Sequence, residues 1–215
     1  MDPASQSIRQ SAPRTQQQRS AATQRRLLEA TLDCIVERGY AATSTPEICR
    51  RAGVSRGAQL HHFPNKAKLV AAAIEHLFTR RHEELRAELG GLSGDLDLDA
   101  AFDALWEIYS GPTLHAWQDL VIAARTDDEL REQLAGVDDR FTAEARLTCR
   151  QLLRLGGVSD DLVAAATRAV LALFDGLALH RVVHPDRDEA ETRAWFASVI
   201  ATWAAANAPG DERHV

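Results

Sequence analysis

The sequence contains few of the residues that break helices or crosslink chains. Twelve glycines, seven prolines and three cysteines are spread over 215 residues. The odd number and wide spacing of Cys34, Cys49 and Cys149 argue against a disulfide framework, so we expect a reducing, cytoplasmic compartment. We see no apolar run of the about 18 residues that a membrane helix needs, and residues 1–20 lack the apolar region of a secretory signal. These absences predict a helical protein without a membrane partner.

Positive charge is concentrated in the first part of the chain. Residues 1–80 carry 12 Lys and Arg against 6 Asp and Glu, whereas residues 81–215 carry 13 against 25. The net charge of the whole chain is −6. A basic head on an acidic body predicts a polyanionic partner for the head alone.

Apolar residues recur at helical spacing along most of the chain, and no strand-like alternation stands out. Leu28, Leu32, Ile35 and Val36 mark one buried face of a first helix. Similar stripes follow, separated by Gly, Pro and polar breaks. The pattern predicts an all-α fold of about nine helices.

The segment around residues 44–64 has the features of a helix-turn-helix. Ser44 and Glu47 have the spacing of a capping box for a short helix that Gly53 ends. Ser55 is a favoured N-cap for the next helix, which Pro64 limits to about two turns. A helix of about seven residues is about 10 Å long, which suits a major groove about 12 Å wide.

The stretch ATSTPEICRRAGVSRGAQLHHFPNKAKLV resembles the DNA-binding head of the TetR family of bacterial transcriptional repressors. The similarity covers roughly residues 22–75 and includes the Thr/Ser-rich helix start, the AGVS turn and the glycine two positions later. It implies a homodimer that binds double-stranded DNA at a palindromic operator and is released by a small effector. The expected DNA contacts are Ser44, Thr45, Arg56, Gly57, Gln59, Leu60, His61, His62 and Lys66.

Two positions depart from the family's pattern, and the paired histidines need a separate interpretation. Leu60 stands where the family has an aromatic phosphate contact, and Gln59 stands where it has an apolar residue. Gln59 either reads a base or bonds to the preceding helix, in which case Leu60 touches a thymine methyl. His61 and His62 point about 100° apart on a helix and have no third ligand nearby, so we expect DNA contacts and no metal or other cofactor.

These features divide the chain into three parts. We assign residues 1–20 to a disordered N-terminal tail, 21–66 to the helix-turn-helix DNA-binding head and 67–215 to a ligand-binding and dimerisation body, in which 67–90 form a connecting helix.

The resemblance implies that the body binds an effector and dimerises, and two segments support dimerisation independently. Residues 160–183 and 188–207 each carry an apolar face wider than a surface helix needs. Two copies of these segments, related by a two-fold axis, form a four-helix bundle. The alternative is a monomer in which both segments lie in a deep core. The predicted interface residues are Leu162, Ala166, Val170, Leu173, Phe174, Leu177, Trp195, Val199 and Trp203.

Aromatic and polar residues in the middle of the body mark a candidate ligand pocket. Such sites are mostly apolar with a few placed polar groups, although aromatic residues at helical spacing are equally typical of a core. The resemblance to the TetR family implies a lipophilic effector, which the sequence does not identify. The predicted pocket residues are Trp106, Tyr109, His115, Trp117, Phe141 and His180.

Two other functions are consistent with the sequence. A DNA-binding regulator without a small-molecule effector needs only the head and the dimer. An enzyme would have to use pairs such as His115 with Asp119 or His180 with His184, which lack an evident third ligand. Because the chain has no nucleophile elbow, phosphate loop or paired zinc motif, we do not expect an enzyme.

Overall fold

The computed structural model describes residues 15–90, 98–153, 155 and 157–207. These residues form nine α-helices and no strand, which confirms the predicted all-α class. Two of the polar and glycine breaks between the apolar stripes, GGLSGD at 90–95 and Gly156-Gly157, lie largely outside the described residues. The helices are α1 (Gln16–Ala42), α2 (Thr45–Ala52), α3 (Arg56–His62), α4 (Lys66–Gly90), α5 (Leu98–Tyr109), α6 (Pro112–Ala123), α7 (Asp128–Leu152), α8 (Asp160–Val183) and α9 (Ala190–Asn207).

Helix α1 begins earlier than predicted because a capping box precedes it. The Thr15 hydroxyl accepts a hydrogen bond from the Gln18 amide at 3.2 Å, and the Gln18 side chain accepts one from the Thr15 amide at 3.0 Å. This reciprocal cap satisfies two free amides at the helix start. The predicted disordered tail is therefore wrong for Gln16–Ser20, and residues 1–14 lie outside the described part of the chain.

Helix α1 changes direction at Gly39, which has φ 74° and ψ 167°. The positive φ fits the predicted helix stop at this glycine, although one more helical turn follows it to Ala42. A Cβ at this position would lie 3.2 Å from Asp119 Oδ2 on α6. Backbone conformation and close approach both favour glycine here.

The predicted turn between α2 and α3 is present. Gly53 has φ 60° and ψ 39° and ends α2, and the Ser55 hydroxyl caps α3. The predicted capping box at Ser44 is wrong, because the Ser44 side chain makes no cap bond. The Glu47 carboxylate instead lies 2.6 Å from the Arg50 guanidinium.

One apolar cluster crosses the boundary predicted between head and body. Of the four residues predicted for the buried face of α1, Leu28, Leu32 and Ile35 are buried, whereas Val36 is 39% exposed. The head is therefore packed on α6 and α7 as well as on α4. The buried members of this cluster include Leu27, Leu28, Ile35, Ile48, Phe63, Leu69, Val70, Ile74, Ala116, Leu120, Leu130, Leu134 and Val137.

A second cluster, built from α5, α6, α8 and α9, surrounds Phe174. The Phe174 ring is fully buried, with its centroid 5.4 Å from that of Phe102 and 5.6 Å from that of Tyr109. Trp106 and Ile200 complete its surroundings. This cluster fixes the side of α8 that faces inward.

Helix α8 is long and apolar enough to cross a membrane by length and composition, contrary to the expectation that no segment reaches this level. In this structure it packs against α5, α6 and α7. Val163, Thr167, Phe174 and Ala178 form its buried side. Its apolar character therefore serves, at least on this side, to fill a protein core.

Candidate nucleic-acid interface and effector cavity

Helix α3 presents a polar and basic surface on the outside of the head. Arg56, Gly57 and His61 are exposed, His62 is partly exposed, and Leu60 is 48% exposed. The helix has seven residues, so its length is about 10 Å. This exposed face has the size and chemistry expected of a helix that enters a major groove.

Gln59 does not belong to that exposed face. Its side chain is 1% exposed, and its Nε2 donates a hydrogen bond to the Phe63 carbonyl at 2.6 Å. The bond satisfies a carbonyl at the end of α3, where no further helical amide is available. A buried amide does not reach a base edge, so the predicted base-reading role is wrong. The alternative bond to the preceding helix is also wrong, because the partner is at the end of α3 itself.

The arginines of α2 and α3 differ in their partners. Arg50 and Arg51 are ion-paired with Glu47 at 2.6 Å and with Glu37 at 2.5 Å. Hydrogen bonds from these guanidinium groups hold the pKa of both carboxyls below the usual value. Arg56 has no ion pair within the part of the chain that the structure describes, so its donors are free for a ligand.

Lys66 and the start of α2 complete the predicted contact set. The Lys66 Nζ donates to the Tyr40 carbonyl at 2.8 Å and lies 3.7 Å from the Tyr40 ring centroid. Burial lowers the pKa of Lys66. Because this ammonium bonds within the protein, the predicted phosphate contact does not match its geometry. Ser44 is exposed and Thr45 partly exposed, so both remain accessible.

Four of the eight histidines lie in two neighbouring pairs. The rings of His61 and His62 are 5.5 Å apart, and those of His180 and His184 are 4.7 Å apart. Over residues 15–90, 98–153, 155 and 157–207, no three His, Cys, Asp or Glu side chains are grouped to hold a metal ion.

Two adjoining cavities lie in the body between α4, α5, α7 and α8. The smaller has a volume of about 130 Å³ and the larger about 300 Å³. Arg81, Tyr109, Phe141 and Leu171 line both. The two cavities therefore share one wall.

The smaller cavity is lined almost wholly by apolar groups, including Leu85, Phe102 and Leu105. Its polar lining is limited to a few side chains, among them Thr148 and Cys149. Burial raises the pKa of the Cys149 thiol, which therefore stays protonated and behaves as an apolar group. This cavity suits an apolar part of a ligand.

The larger cavity combines aromatic rings with acidic groups. The Phe78 ring centroid lies 5.2 Å from that of Trp117 and 4.6 Å from that of Phe141. Asp138 and Asp175 line the same cavity. Burial, with a contribution from the Asp138 carboxylate, raises the pKa of Asp175 to about 6.

The structure brings only part of the predicted pocket together. Trp106 is buried in the second cluster, with the Arg193 guanidinium 4.9 Å from its ring centroid. His180 is exposed near the end of α8, where its Nδ1 lies 3.5 Å from Glu189 Oε1. The predicted residues that line a described cavity are Tyr109, Trp117 and Phe141, and those that do not are Trp106, His115 and His180.

Most residues of the larger cavity are absent from the prediction, and three of them matter for its chemistry. Phe78, Asp138 and Asp175 line it, on α4, α7 and α8. An acidic residue inside the apolar run LALFDGLAL was the available signal for Asp175. Nothing local distinguishes Phe78 or Asp138 from ordinary helix residues.

The outer side of α8 carries a continuous, largely apolar stripe. Its positions alternate in spacing between three and four residues, so they share one face, and small side chains occupy the middle. The exposed stripe residues are Leu162, Ala165, Ala169, Ala172, Gly176, Leu179 and Val183. We call this the outer stripe of α8.

The predicted interface residues fall into exposed and inward-facing groups. Trp195 is 65% exposed on α9, and Val199 and Leu162 are 40% and 39% exposed. Phe174 is fully buried, so its predicted place in an interface is wrong. Val170 and Leu177 pack against the second cluster. Partly exposed positions are Ala166, Leu173 and Trp203.

Comparison with known proteins agrees with this geometry. Residues 27–73 match the family model described as bacterial regulatory proteins, tetR family, and residues 109–205 match that described as BetI-type transcriptional repressor, C-terminal. An uncharacterised HTH-type transcriptional regulator of Mycobacterium tuberculosis H37Rv is 33% identical over 190 residues, 88% of this chain and 97% of that protein. The chain belongs to the TetR family. It is a transcriptional regulator with a helix-turn-helix DNA-binding head.

Solved structures of TetR-like regulators share the fold. A transcriptional regulator from Pseudomonas aeruginosa PAO1 is 29% identical, with a TM-score of 0.67 over 94% of this chain and 97% of that one. A regulator from Saccharomonospora viridis, solved in complex with choline, is 20% identical, with a TM-score of 0.58 over 83% of this chain and 94% of that one. The second likeness shows the fold alone.

Proposed function

We propose that this TetR-family regulator is a homodimeric repressor that binds a palindromic operator in the cytoplasm and releases it when a small molecule occupies the body. The observation that carries the proposal is the position of α4. Its first part, including Leu69 and Val70, packs in the head core, and its later part, including Phe78 and His82, lines the cavities. One helix thus belongs to both the DNA-binding head and the ligand cavity.

The proposed DNA contacts come from the exposed face of α3. Arg56 donates two hydrogen bonds to a guanine, and Leu60 touches a thymine methyl. Gly57 allows the backbone to approach the DNA, and His61 and His62 bond to phosphate or base edges. Ser44 and Thr45 at the start of α2 contact the phosphate backbone.

Homodimerisation is supported by the outer stripe of α8 and by the exposed Trp195 and Val199 of α9. A large exposed apolar surface on a helical protein marks an interaction site. A two-fold axis through this surface forms a four-helix bundle and buries it. The two α3 helices then reach successive major grooves about 34 Å apart.

The cavity supports a small-molecule effector, and polar contacts join the body to the head. The Tyr40 hydroxyl donates to Asp127 Oδ2 at 3.3 Å, and Asn65 Nδ2 donates to Glu129 Oε1 at 2.5 Å. Burial and the Asp127 carboxylate raise the pKa of Tyr40 to about 12, so the hydroxyl remains a donor. In this proposal the body has two arrangements, one that allows operator binding and one that does not. A ligand changes the position of the heads only if its affinity for these two arrangements differs.

The test is operator selection from random double-stranded DNA, followed by affinity measurements at several salt concentrations. We expect a palindromic site whose half-sites lie one helical turn apart. Binding should weaken steeply with salt, by about 10³-fold or more between about 50 and 200 mM if at least six phosphates are contacted. A flat salt response, or equal affinity for selected and random DNA, contradicts the proposed function.

A further inference from the structure

We infer that the two adjoining cavities together take an amphipathic organic ammonium ion, with its apolar tail in the smaller cavity and its cationic head beside Asp175 and Asp138 in the larger one. This inference rests on the proposed ligand-responsive function and specifies the chemical class of the effector.

The two carboxylates lack partners of their own. Asp175 is partly buried on α8, and Asp138 is exposed on α7. Neither side chain forms a hydrogen bond or an ion pair with any residue that the structure describes. Burial raises the pKa of both groups, which means that ionisation of these carboxyls costs more free energy here than in water. A cation placed between them offsets that cost.

The cationic side chains of the same lining do not neutralise these carboxylates. The Arg81 guanidinium is bonded to Glu84 at 2.8 Å. Arg168 is exposed and makes no ion pair with a described residue. The acidic pair therefore remains available to a ligand.

Tyr109 gives an independent indication of a ligand at this point. Its side chain is 6% exposed and lines both cavities, yet its hydroxyl has no hydrogen-bond partner among the described residues. Burial raises the pKa of Tyr109, and the Asp175 and Asp138 carboxylates raise it further, so the hydroxyl stays protonated. Because the hydroxyl is not among the fully buried atoms without a partner, it is open to the cavity and can bond to a polar group of a ligand there. An ammonium N–H is a suitable donor to it.

The aromatic wall supports the same ligand class. The Phe78 ring contacts the rings of both Trp117 and Phe141, and all three line the larger cavity. Aromatic faces attract a cation, most strongly where water is excluded. An anion or a neutral alcohol gains from neither the rings nor the carboxylates.

The test compares three ligands that each have six carbons in a straight chain: hexylammonium, 1-hexanol and hexanoate. Their binding to the full chain is measured by isothermal titration calorimetry at pH 7.5. We expect hexylammonium to bind most tightly, and Asp175→Asn to weaken it about tenfold without changing the affinity for hexanol. Asp139→Asn is the matched control, because it removes the same charge from an exposed neighbour outside the cavity lining.

The outcomes separate this inference from the proposed function. Equal affinity for the three ligands, no binding of any of them, or an unchanged hexylammonium affinity in Asp175→Asn overturns the ammonium site. If hexanol or hexanoate binds best and lowers operator affinity, the ligand-responsive function stands and the ammonium site falls. Operator affinity without ligand, measured on the same samples, tests DNA binding alone. Should Asp175→Asn fail to fold, Asp138→Asn at the exposed position provides the same comparison.

Discussion

Arg56 has no ion pair with a residue that the structure describes, whereas Arg50 is ion-paired with Glu47. We therefore expect Arg56→Ala to relax the sequence preference at one base pair of each half-site, by about 1–3 kcal/mol if the contact is bidentate. Arg50→Ala should change the affinity for all operator variants alike. Competition binding with single-base operator variants measures both. If the two variants give the same profile, the division of roles between these arginines is wrong.

Asp175 connects the cavity to the pH dependence of stability. Its folded-state pKa of about 6 lies above the ordinary value of an aspartate, about 4, so the native state binds the proton more tightly than the unfolded chain. The ionised carboxylate therefore destabilises the native state above pH 6, and this penalty disappears as the pH falls towards 4.

The resulting prediction is that Asp175→Asn raises Tm at pH 7.5 and has no effect at pH 4. Because the side chain is only partly buried, water screens the charge, and the free-energy penalty is on the order of 1 kcal/mol. That corresponds to about 2–4 °C for a chain of this size. Thermal unfolding by circular dichroism checks it, with Asp139→Asn as the charge-matched control. A gain of equal size at both pH values contradicts the assignment.

Gln59 and Leu60 show why sequence patterns leave individual roles open. Both occupy positions where the chain departs from the family's pattern. The position of Gln59 depends on the carbonyl of Phe63, which lies at the end of α3 and accepts a hydrogen bond from the Gln59 side-chain amide. Spacing alone does not reveal that a helix end lacks a donor, so the sequence left two interpretations of Gln59, and both are wrong.

At the scale of the helices, most boundaries could be predicted because they depend on local chemistry. Gly53 and Ser55 define the turn before α3 through a left-handed conformation and a hydroxyl cap. The start of α1 was missed because the Thr15–Gln18 capping box lies in a Gln-rich segment without apolar residues. The cavity lining could be predicted only in part, since it depends on how four helices pack together.

The kink of α1 gives a stability prediction at this scale. Gly39→Ala places a side chain at a positive φ and a Cβ 3.2 Å from Asp119 Oδ2, so we expect a loss of about 1–2 kcal/mol. The measurement is the free energy of unfolding in urea. Gly57→Ala is the control within the head, because a Cβ there has no atom within 4 Å.

Gly57→Ala should leave stability unchanged or raise it by up to about 1 kcal/mol, since alanine favours a helix. It should nevertheless weaken operator binding, because the backbone of α3 then stays farther from the DNA. An equal loss of stability in both variants contradicts the special role of Gly39.

For the whole molecule, the outer stripe of α8 predicts the oligomeric state. We expect Leu179→Glu, at a position 51% exposed, to produce a monomer and to reduce operator affinity at least about tenfold, because it puts a charge into an apolar interface. Val121→Glu on α6, at a position 46% exposed, is the control and should remain dimeric. Sedimentation velocity measures the mass. A dimeric Leu179→Glu variant places the interface elsewhere.

The sequence could not decide which side of α8 faces inward. Both sides are apolar, so helical spacing alone assigns Phe174 and Leu173 equally well to a core or to an interface. Contacts with Phe102 and Tyr109 of α5 place Phe174 inside. The choice depends on a helix more than 60 positions away in the chain, which periodicity does not describe.

Helix α4 has a mechanical consequence for the proposed dimer. Lys66 at its start and Phe78 at the cavity wall are 12 residues apart, which is about 18 Å along a rigid rod. A rotation of about 10° around Phe78 displaces the Lys66 end by about 3 Å, and the two-fold axis doubles that displacement between the two heads. The two half-sites lie about 34 Å apart. When one α3 is in its major groove, this displacement would move the other α3 out of line with its own groove. A ligand that moves one ring at the cavity wall would therefore cause a larger movement of the heads. The spacing between the two α3 helices would then no longer match one turn of DNA.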